Sequence, residues 1–174
     1  MGAVSRVFSR PVLLVLAFVV PCWQARSMDA GEHLFVIERS LNANAVAYDV
    51  VTTRTGRLDP GSPLRVYWIM WADRGQASGL NAFEWSQAYG YDVQACSGDA
   101  CTITLRALRS RPIVVELARG APRAVTLIGE EKGILRRVFV TVGRAGIIPS
   151  VESIELFGES CETAAELHER IARR

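Results

Sequence analysis

Five polar side chains crowd residues 38–44 (ERSLNAN), between two apolar segments. An arginine beside amide side chains can bind an anionic group, because the guanidinium donors pair with anionic oxygens while the amides fix orientation. A tight connection is the alternative, since Asn tolerates left-handed backbone angles and closes Asx-turns. We therefore name Arg39, Asn42 and Asn44 as candidate ligand-binding residues.

Aromatic side chains supply a second group of candidates. In a small β domain Trp and Tyr can line a ligand cavity, although more often they belong to the core. Strand parity places Trp68 with apolar side chains and Tyr67 on a mixed face. Tyr89 ends a short predicted helix and reaches a ligand cavity if that helix covers one end of the sheet. We add Tyr67, Trp68 and Tyr89 to the candidate ligand-binding residues.

No familiar catalytic motif assembles. The only histidines are His33 and His168, and the sequence has no G-x-S-x-G, H-E-x-x-H, P-loop or G-x-G-x-x-G pattern. Carboxylate pairs of the kind that glycosidases use arise by chance among 18 acidic residues. The sequence therefore leaves any catalytic residues unknown and ranks binding above catalysis. We expect no cofactor.

The cysteines indicate an oxidising compartment. Cys96 and Cys101 flank four residues with turn chemistry, which predicts a disulfide near the tip of a hairpin. Cys161 is then left unpaired, and we expect it to be buried on a helix face. A zinc site from these three cysteines and His168 is the alternative. The four-residue gap and the predicted export favour the disulfide, so we expect no metal.

Residues 1–27 have the sequence of an export signal. Arg6 and Arg10 precede an uncharged apolar run at residues 11–21, and residues 25–27 offer small side chains for cleavage. The run is ~11–13 residues long, short of the ~18–20 that span a bilayer. We expect a periplasmic or secreted mature chain without a transmembrane span. A membrane anchor formed by an uncleaved N-terminal segment is the alternative.

Length and charge narrow the class of protein further. The 174 residues are 49% hydrophobic and 22% charged, which is typical of a globular domain and unlike a disordered chain. Residues 1–27 hold three of the 20 basic residues and none of the 18 acidic ones, so removing them leaves 17 basic and 18 acidic residues. We expect no nucleic-acid partner. Residues 31–174 are predicted to form one domain.

Short β-prone runs separated by turn residues dominate this domain. They predict a mainly β, antiparallel, barrel-like meander, with a β-sandwich as the alternative. A short internal helix is predicted from Ser78 to about Ala88, with Ser78 as its N-cap and Gly90 as the residue that ends it. A C-terminal helix is predicted after Ser160. The predicted strands are residues 33–39, 45–52, 64–71, 90–96, 101–108, 112–118, 123–129, 133–142 and 151–157.

Four short motifs carry a family resemblance in residues 34–90. They are Glu38-Arg39-Ser40-x-Asn42-x-Asn44, Tyr48-Asp49, Pro63-x-x-Val66-Tyr67-Trp68-Ile69 and Ala88-Tyr89-Gly90. In order and spacing this segment resembles an uncharacterised bacterial family of exported domains, domain of unknown function 4833. The resemblance implies export and a single domain, and it implies no particular chemistry.

The sequence favours an exported, non-catalytic β domain that binds a small ligand or a cell-envelope partner. Two alternatives stay open. One is a hydrolytic enzyme of unknown substrate, and the other is a structural or interaction protein linked by a disulfide through Cys161. The oligomeric state is not set by any of these patterns.

Overall fold

The computed structural model describes residues 33–143 and 150–172, and most of them lie in β-strands. The predicted export signal at residues 1–27 lies outside the described residues. Within them, helical segments are confined to α1 (Ala82–Glu84), a π turn (Trp85–Tyr89) and two 3-10 turns (Trp71–Asp73 and Arg106–Leu108). The strands are β1 (Phe35–Arg39), β2 (Asn42–Val50), β3 (Leu64–Met70), β4 (Gln76–Gly79), β5 (Tyr91–Ser97), β6 (Ala100–Leu105), β7 (Pro112–Ala118), β8 (Ala121–Ile128), β9 (Glu131–Gly143), β10 (Ser150–Ser160) and β11 (Glu166–Ala172).

The strands form one curled, open half-barrel sheet in the order β4-β3-β2-β1-β9-β8-β7-β6-β5. The long β9 pairs with β8 through its first residues and with β1 further along. On its other edge β9 pairs with most of β10, and β10 in turn pairs with β11. Neighbouring strands are antiparallel, apart from the parallel pair β1 and β9. The predicted mainly β, barrel-like meander is therefore confirmed, with one parallel pairing added to it.

The core lies against the inner face of the curled sheet. Alternate residues of each strand point to that face, because side chains alternate across a strand. Phe35 of β1 stacks on Tyr48 of β2 with ring centroids 4.3 Å apart. The largest fully buried side chains are Tyr48, Phe35, Ile37, Leu64, Ile103, Leu105, Ile113, Leu135 and Leu156.

The predicted C-terminal helix is wrong, because its second half forms β11 on the edge of β10. Ser160 caps only one turn: its Oγ accepts hydrogen bonds from the backbone N–H groups of Glu162 (3.2 Å) and Thr163 (3.1 Å). Ala164 then adopts a φ of 57°, which ends the turn. The residues of β11 alternate between exposed and half-buried. The same residues also fit an apolar stripe at helical spacing. They form a strand because the free edge of β10 offers backbone hydrogen-bond partners along its length.

The short internal helix begins later than predicted. Gln76–Gly79 form strand β4 against β3, and Asn81, not Ser78, is the N-cap. The Asn81 side chain accepts the Glu84 N–H (2.9 Å), and the Glu84 carboxylate accepts the Asn81 N–H (3.0 Å). Gly90 has extended backbone angles, but a Cβ there would collide with the Trp85 carbonyl oxygen. Close packing, not a left-handed turn, therefore requires this glycine.

The Tyr91 hydroxyl hydrogen-bonds to the backbone of β3 at Leu64, which lies outside the part of β3 that pairs with β4. It donates to the Leu64 carbonyl oxygen (2.8 Å) and accepts from the Leu64 N–H (3.2 Å). The Tyr91 side chain is buried, so these groups have little access to water. The hydroxyl thereby ties β5 to β3.

Replacing Tyr91 with Phe is expected to lower the free energy of unfolding by about 1.5 kcal/mol, since both Leu64 backbone groups lose their partner. Urea denaturation of the two proteins measures the difference. Ser62→Ala is the control, because exposed Ser62 makes only a 3.3 Å contact with the same hydroxyl. It is expected to cost less than about 0.5 kcal/mol. Equal losses in the two variants would contradict this role of Tyr91.

Candidate functional site

Three of the predicted ligand-binding residues meet at one end of the inner face. The Arg39 guanidinium carbon lies 4.5 Å from the centroid of the Trp68 ring, and Arg39 Nη1 donates to the Tyr89 hydroxyl (3.2 Å). Trp68 and Tyr89 pack edge to face with ring centroids 5.0 Å apart. Trp68 is 6% exposed and Arg39 is half-buried. These three side chains are called the Arg39 site below.

The strand order explains how these residues come together. Arg39 is the last residue of β1 and has the parity of the core residue Ile37, so its side chain starts on the inner face. Trp68 of β3 lies on the same face, because Val46 of β2 is paired with both Ile37 and Trp68. A register irregularity in the β1–β2 pairing at Glu38 and Arg39 marks the end of regular pairing. The guanidinium therefore lies where the regular sheet stops.

A buried tyrosine holds the third member of the Arg39 site. The Tyr48 hydroxyl donates to the Tyr89 carbonyl oxygen at 2.6 Å, which fixes the end of the π turn over the inner face. The Gly90 N–H also donates to the Trp85 carbonyl oxygen (3.0 Å) and closes that turn. Tyr89 is therefore held from the core side as well as by Arg39.

Arg39 differs from other arginines in its surroundings. Among the described residues, each of the other half-buried arginines forms an ion pair with an acidic side chain, and Arg39 forms none. The Arg39 Nε is buried and has no hydrogen-bond partner among the described residues, a property that it shares with the Nε of Arg106. A half-buried cation is more stable with a counter-charge beside it than without one. The arginines that do pair are Arg106, Arg111, Arg123, Arg136 and Arg137.

Tyr89 remains a neutral hydrogen-bond donor at physiological pH. Burial raises its pKa above the ordinary value of about 10, the charge and hydrogen bond of Arg39 act more weakly in the opposite direction, and the negative charge of Glu84 adds the smallest increase. Its oxygen accepts the Arg39 N–H, and its own proton has no acceptor among the described residues. Arg39 and Tyr89 can therefore both donate to one anionic group.

Stability is expected to fall above about pH 10, because burial also raises the pKa of Tyr48 well above its ordinary value. In the unfolded chain these phenols ionise near pH 10, while in the fold Tyr48 and Tyr89 keep their protons. The stabilisation is complete below pH 10 and is lost as the pH rises, by at most about 1.4 kcal/mol per pH unit for each tyrosine. Thermal melts from pH 8 to pH 11 measure the decline. A midpoint that stays level across this range would contradict the expectation.

Asn42 and Asn44 shape the backbone and form no hydrogen bond with Arg39 among the described residues. Asn42 Oδ1 accepts the Asn44 N–H (3.2 Å), which closes an Asx-turn. Asn44 Oδ1 accepts the Trp71 N–H (3.2 Å) and so joins β2 to the turn after β3. These contacts are the ones expected of a tight connection.

Tyr67 lies on the opposite face of the sheet from Trp68, in a polar network. Its hydroxyl donates to Asp49 Oδ2 (2.7 Å), and His33 Nδ1 lies 2.8 Å from Asp49 Oδ1. The Arg65 guanidinium lies over the Tyr67 ring, with its carbon 4.8 Å from the ring centroid. Tyr67 is therefore not part of the Arg39 site. The outward parity of Asp49 and Tyr67 on two adjacent predicted strands was the signal that could have indicated this network.

Cys96 and Cys101 lie directly opposite each other on β5 and β6 and form a disulfide, with Cα atoms 4.1 Å apart. A cavity of about 330 Å³ lies beside it and is also lined by Thr53, Arg57 and Leu58. We call this space the disulfide cavity. This cavity could not be predicted, because the loop between β2 and β3 has no sequence pattern that places it over the hairpin.

Cys161 and His168 do not join the other cysteines. Cys161 is exposed in the turn between β10 and β11, so its predicted burial on a helix face is wrong. His168 stacks on Phe157 (4.5 Å between centroids), and its Nε2 lies 2.9 Å from Glu155 Oε2. Within residues 33–143 and 150–172, no group of three or more His, Cys, Asp and Glu side chains could hold a metal ion.

Comparisons with known proteins identify a family, and the description of that family names no activity. A family model described as Domain of unknown function (DUF4833) matches residues 35–170, which run from β1 into β11. No curated protein and no solved structure gives a significant match. No helix in the described parts of the chain is long and apolar enough to cross a bilayer.

Proposed function

This chain belongs to the domain of unknown function 4833 family, and we propose that it is a binding domain whose Arg39 site takes the carboxylate of a small organic ligand. The family description carries no chemistry, so the proposal rests on the geometry of this chain. One observation carries it: the half-buried Arg39 guanidinium has no acidic partner among the described residues.

A carboxylate suits this site in charge and in shape. The site offers one positive charge, whereas a phosphate dianion would call for further cations. Arg39 Nη2 has no hydrogen-bond partner in the described residues, and the Tyr89 proton is also available. The two donors can therefore share the oxygens of one carboxylate. Binding would supply the counter-charge that Arg39 lacks and would strengthen its stacking on Trp68 by removing water.

We also infer that the domain works in the periplasm or outside the cell. A disulfide such as Cys96–Cys101 persists in oxidising compartments, and residues 1–27 have the composition of an export signal. The ligand would then be a small molecule of that compartment or an acidic group of a cell-envelope component. Catalysis is not needed for this role.

Calorimetric titration with matched acids and amides tests the proposal. The panel contains aliphatic, aromatic and sugar-derived monocarboxylates, each beside its uncharged amide and its phosphorylated counterpart. We expect at least one acid to bind while its amide does not, because the amide cannot neutralise Arg39. Arg65→Gln is the control variant, since exposed Arg65 lies on the opposite face and is expected to leave affinity unchanged. Equal affinity for acid and amide, or no binding by any acid, would refute the proposal.

A further inference from the structure

The disulfide cavity shares no lining residue with the Arg39 site. It lies between the segment 51–63 and the hairpin of β5 and β6, and both Cys96 and Cys101 line it. Arg57 lines it too and forms a 3.2 Å ion pair with Asp99 in the turn of the hairpin. A volume of about 330 Å³ is within the range of small-molecule sites. A redox-capable bond is therefore open to a molecule in this space.

The hairpin has enough support without the disulfide. The two strands pair on both sides of the bond, at Ser97 with Ala100 and at Val93 with Ile103. Gly98 takes a φ of 61°, which suits a two-residue connection, and the Asp99 carbonyl oxygen accepts the Leu117 N–H (2.9 Å). The bond joins residues only five apart in sequence, so it removes little freedom from the unfolded chain. The disulfide is thus one of several constraints on this hairpin, so the strands can stay paired while the bond is exchanged.

We propose that the disulfide cavity is a thiol–disulfide exchange site for a small thiol that carries a carboxylate. Cys96 is half-buried, whereas Cys101 is 2% exposed. Cys96 Sγ is therefore the sulfur that an incoming thiolate reaches. Arg57 also lines the cavity, and although its Nε pairs with Asp99, its remaining guanidinium N–H groups can donate to the carboxylate of the thiol.

The exchange proceeds in two balanced steps. The substrate thiolate forms a bond to Cys96 Sγ, the Cys96–Cys101 bond breaks, and its electron pair passes to Cys101 Sγ, which takes a proton from water. A second substrate thiolate then attacks the substrate sulfur of the mixed disulfide and releases Cys96 as a thiolate. Two substrate thiols are thereby oxidised to one disulfide, and the protein gains two cysteine thiols.

Reduction of the native chain by small thiols tests this site. The protein is incubated with glutathione, which has carboxylates, or with cysteamine, which has none, and free thiols are then alkylated. Trypsin releases both cysteines in one peptide, residues 75–106, because no Lys or Arg lies between Arg74 and Arg106. Mass spectrometry of that peptide reports reduction independently of Cys161, while near-ultraviolet circular dichroism reports whether the fold persists.

We expect glutathione to reduce the bond while the fold persists. In Arg57→Gln the rate of reduction by glutathione is expected to fall about fivefold relative to the rate of reduction by cysteamine. Arg54→Gln is the control, since exposed Arg54 does not line the cavity. When a Cys101→Ser variant is given oxidised glutathione instead, its Cys96 thiolate attacks that disulfide, and we expect Cys96 to retain one glutathione while the other leaves as a thiolate. A bond that is reduced only when the protein unfolds would overturn the proposal. Modification of Cys101 by oxidised glutathione in a Cys96→Ser variant, at the same rate as Cys96 in the Cys101→Ser variant, would also overturn it.

Discussion

Replacing Glu169 with Ala is expected to lower the free energy of unfolding by about 3 kcal/mol. Glu169 Oε1 and Oε2 accept hydrogen bonds from Arg111 Nη2 (2.8 Å) and Nη1 (3.0 Å), and Oε2 also accepts the Gly129 N–H (2.7 Å). The side chains of Arg111 and Glu169 are only 18% and 19% exposed. Removing the carboxylate leaves a poorly hydrated cation and a backbone donor without their partner.

The position of this ion pair explains why its loss matters for the whole fold. Arg111 precedes β7, Gly129 follows β8, and Glu169 lies in the middle of β11, so the pair attaches the last strand to the other half of the sheet. Arg111 Nη1 also donates to the Leu127 carbonyl oxygen (2.6 Å). β11 otherwise pairs only with β10 among the described strands. Without Glu169 that strand has fewer contacts across the sheet.

Equilibrium urea denaturation measures this loss. Glu166→Ala is the matched control, because Glu166 is an exposed acid on the same strand and is expected to cost less than about 0.5 kcal/mol. The double variant Arg111→Ala/Glu169→Ala is expected to lose less than the two single variants added together, since neither partner is left alone. Additive losses, or equal losses for Glu166 and Glu169, would show that the ion pair contributes nothing specific.

Replacing Arg39 with Gln is expected to weaken carboxylate binding by about 2–3 kcal/mol, roughly a hundredfold in Kd. The glutamine removes the positive charge and the planar donors that face the ligand. Arg39→Lys keeps the charge but loses the planar fork, and an intermediate affinity is expected. Calorimetric titration with the acid found by the matched panel gives all three affinities.

The same Arg39 variant distinguishes a binding residue from a structural one. Replacing Arg39 with Gln removes a buried Nε that has no partner in the described residues, and it also removes the stacking on Trp68. Because these effects oppose each other, the free energy of unfolding is expected to change by less than about 1 kcal/mol. A large loss of stability together with unchanged affinity would make Arg39 a structural residue.

The affinity for a carboxylate is expected to stay level between pH 6 and pH 9. Arginine keeps its charge across this range, and burial raises the pKa of Tyr89 above about 10, so neither donor titrates. The carboxylate of the ligand is also ionised throughout. A decline in affinity centred near neutral pH would point to a histidine in the site, which the Arg39 site does not contain.

The Arg39 site could be predicted in part because it depends on local strand pairing. The residues of β1, β2 and β3 are joined by short-range antiparallel pairing, and strand parity places Arg39 and Trp68 on one face. Parity also separates Tyr67 from Trp68, although both were candidates. Tyr89 comes from a helical segment, and its position depends on the Tyr48 hydroxyl, which no local pattern reveals.

The features that the sequence missed depend on contacts between distant segments. β11 is a strand because β10 offers it a free edge, while its residues alone also fit a helix. The disulfide cavity exists because the loop between β2 and β3 reaches the hairpin of β5 and β6, where Arg57 pairs with Asp99. Such contacts depend on the curvature of the whole sheet, and the periodicity of a single segment carries no information about them.

Nitrogen-15 NMR of arginine side chains during a titration with the acid tests the central claim most directly. The Nε signal of Arg39 is assigned by its absence in Arg39→Gln. We predict that the acid shifts this signal and the indole signal of Trp68, while its amide shifts neither. A ligand that leaves the Arg39 signal in place and moves only the signal of Arg57 would show that the chain binds it in the disulfide cavity and would contradict the proposed Arg39 site.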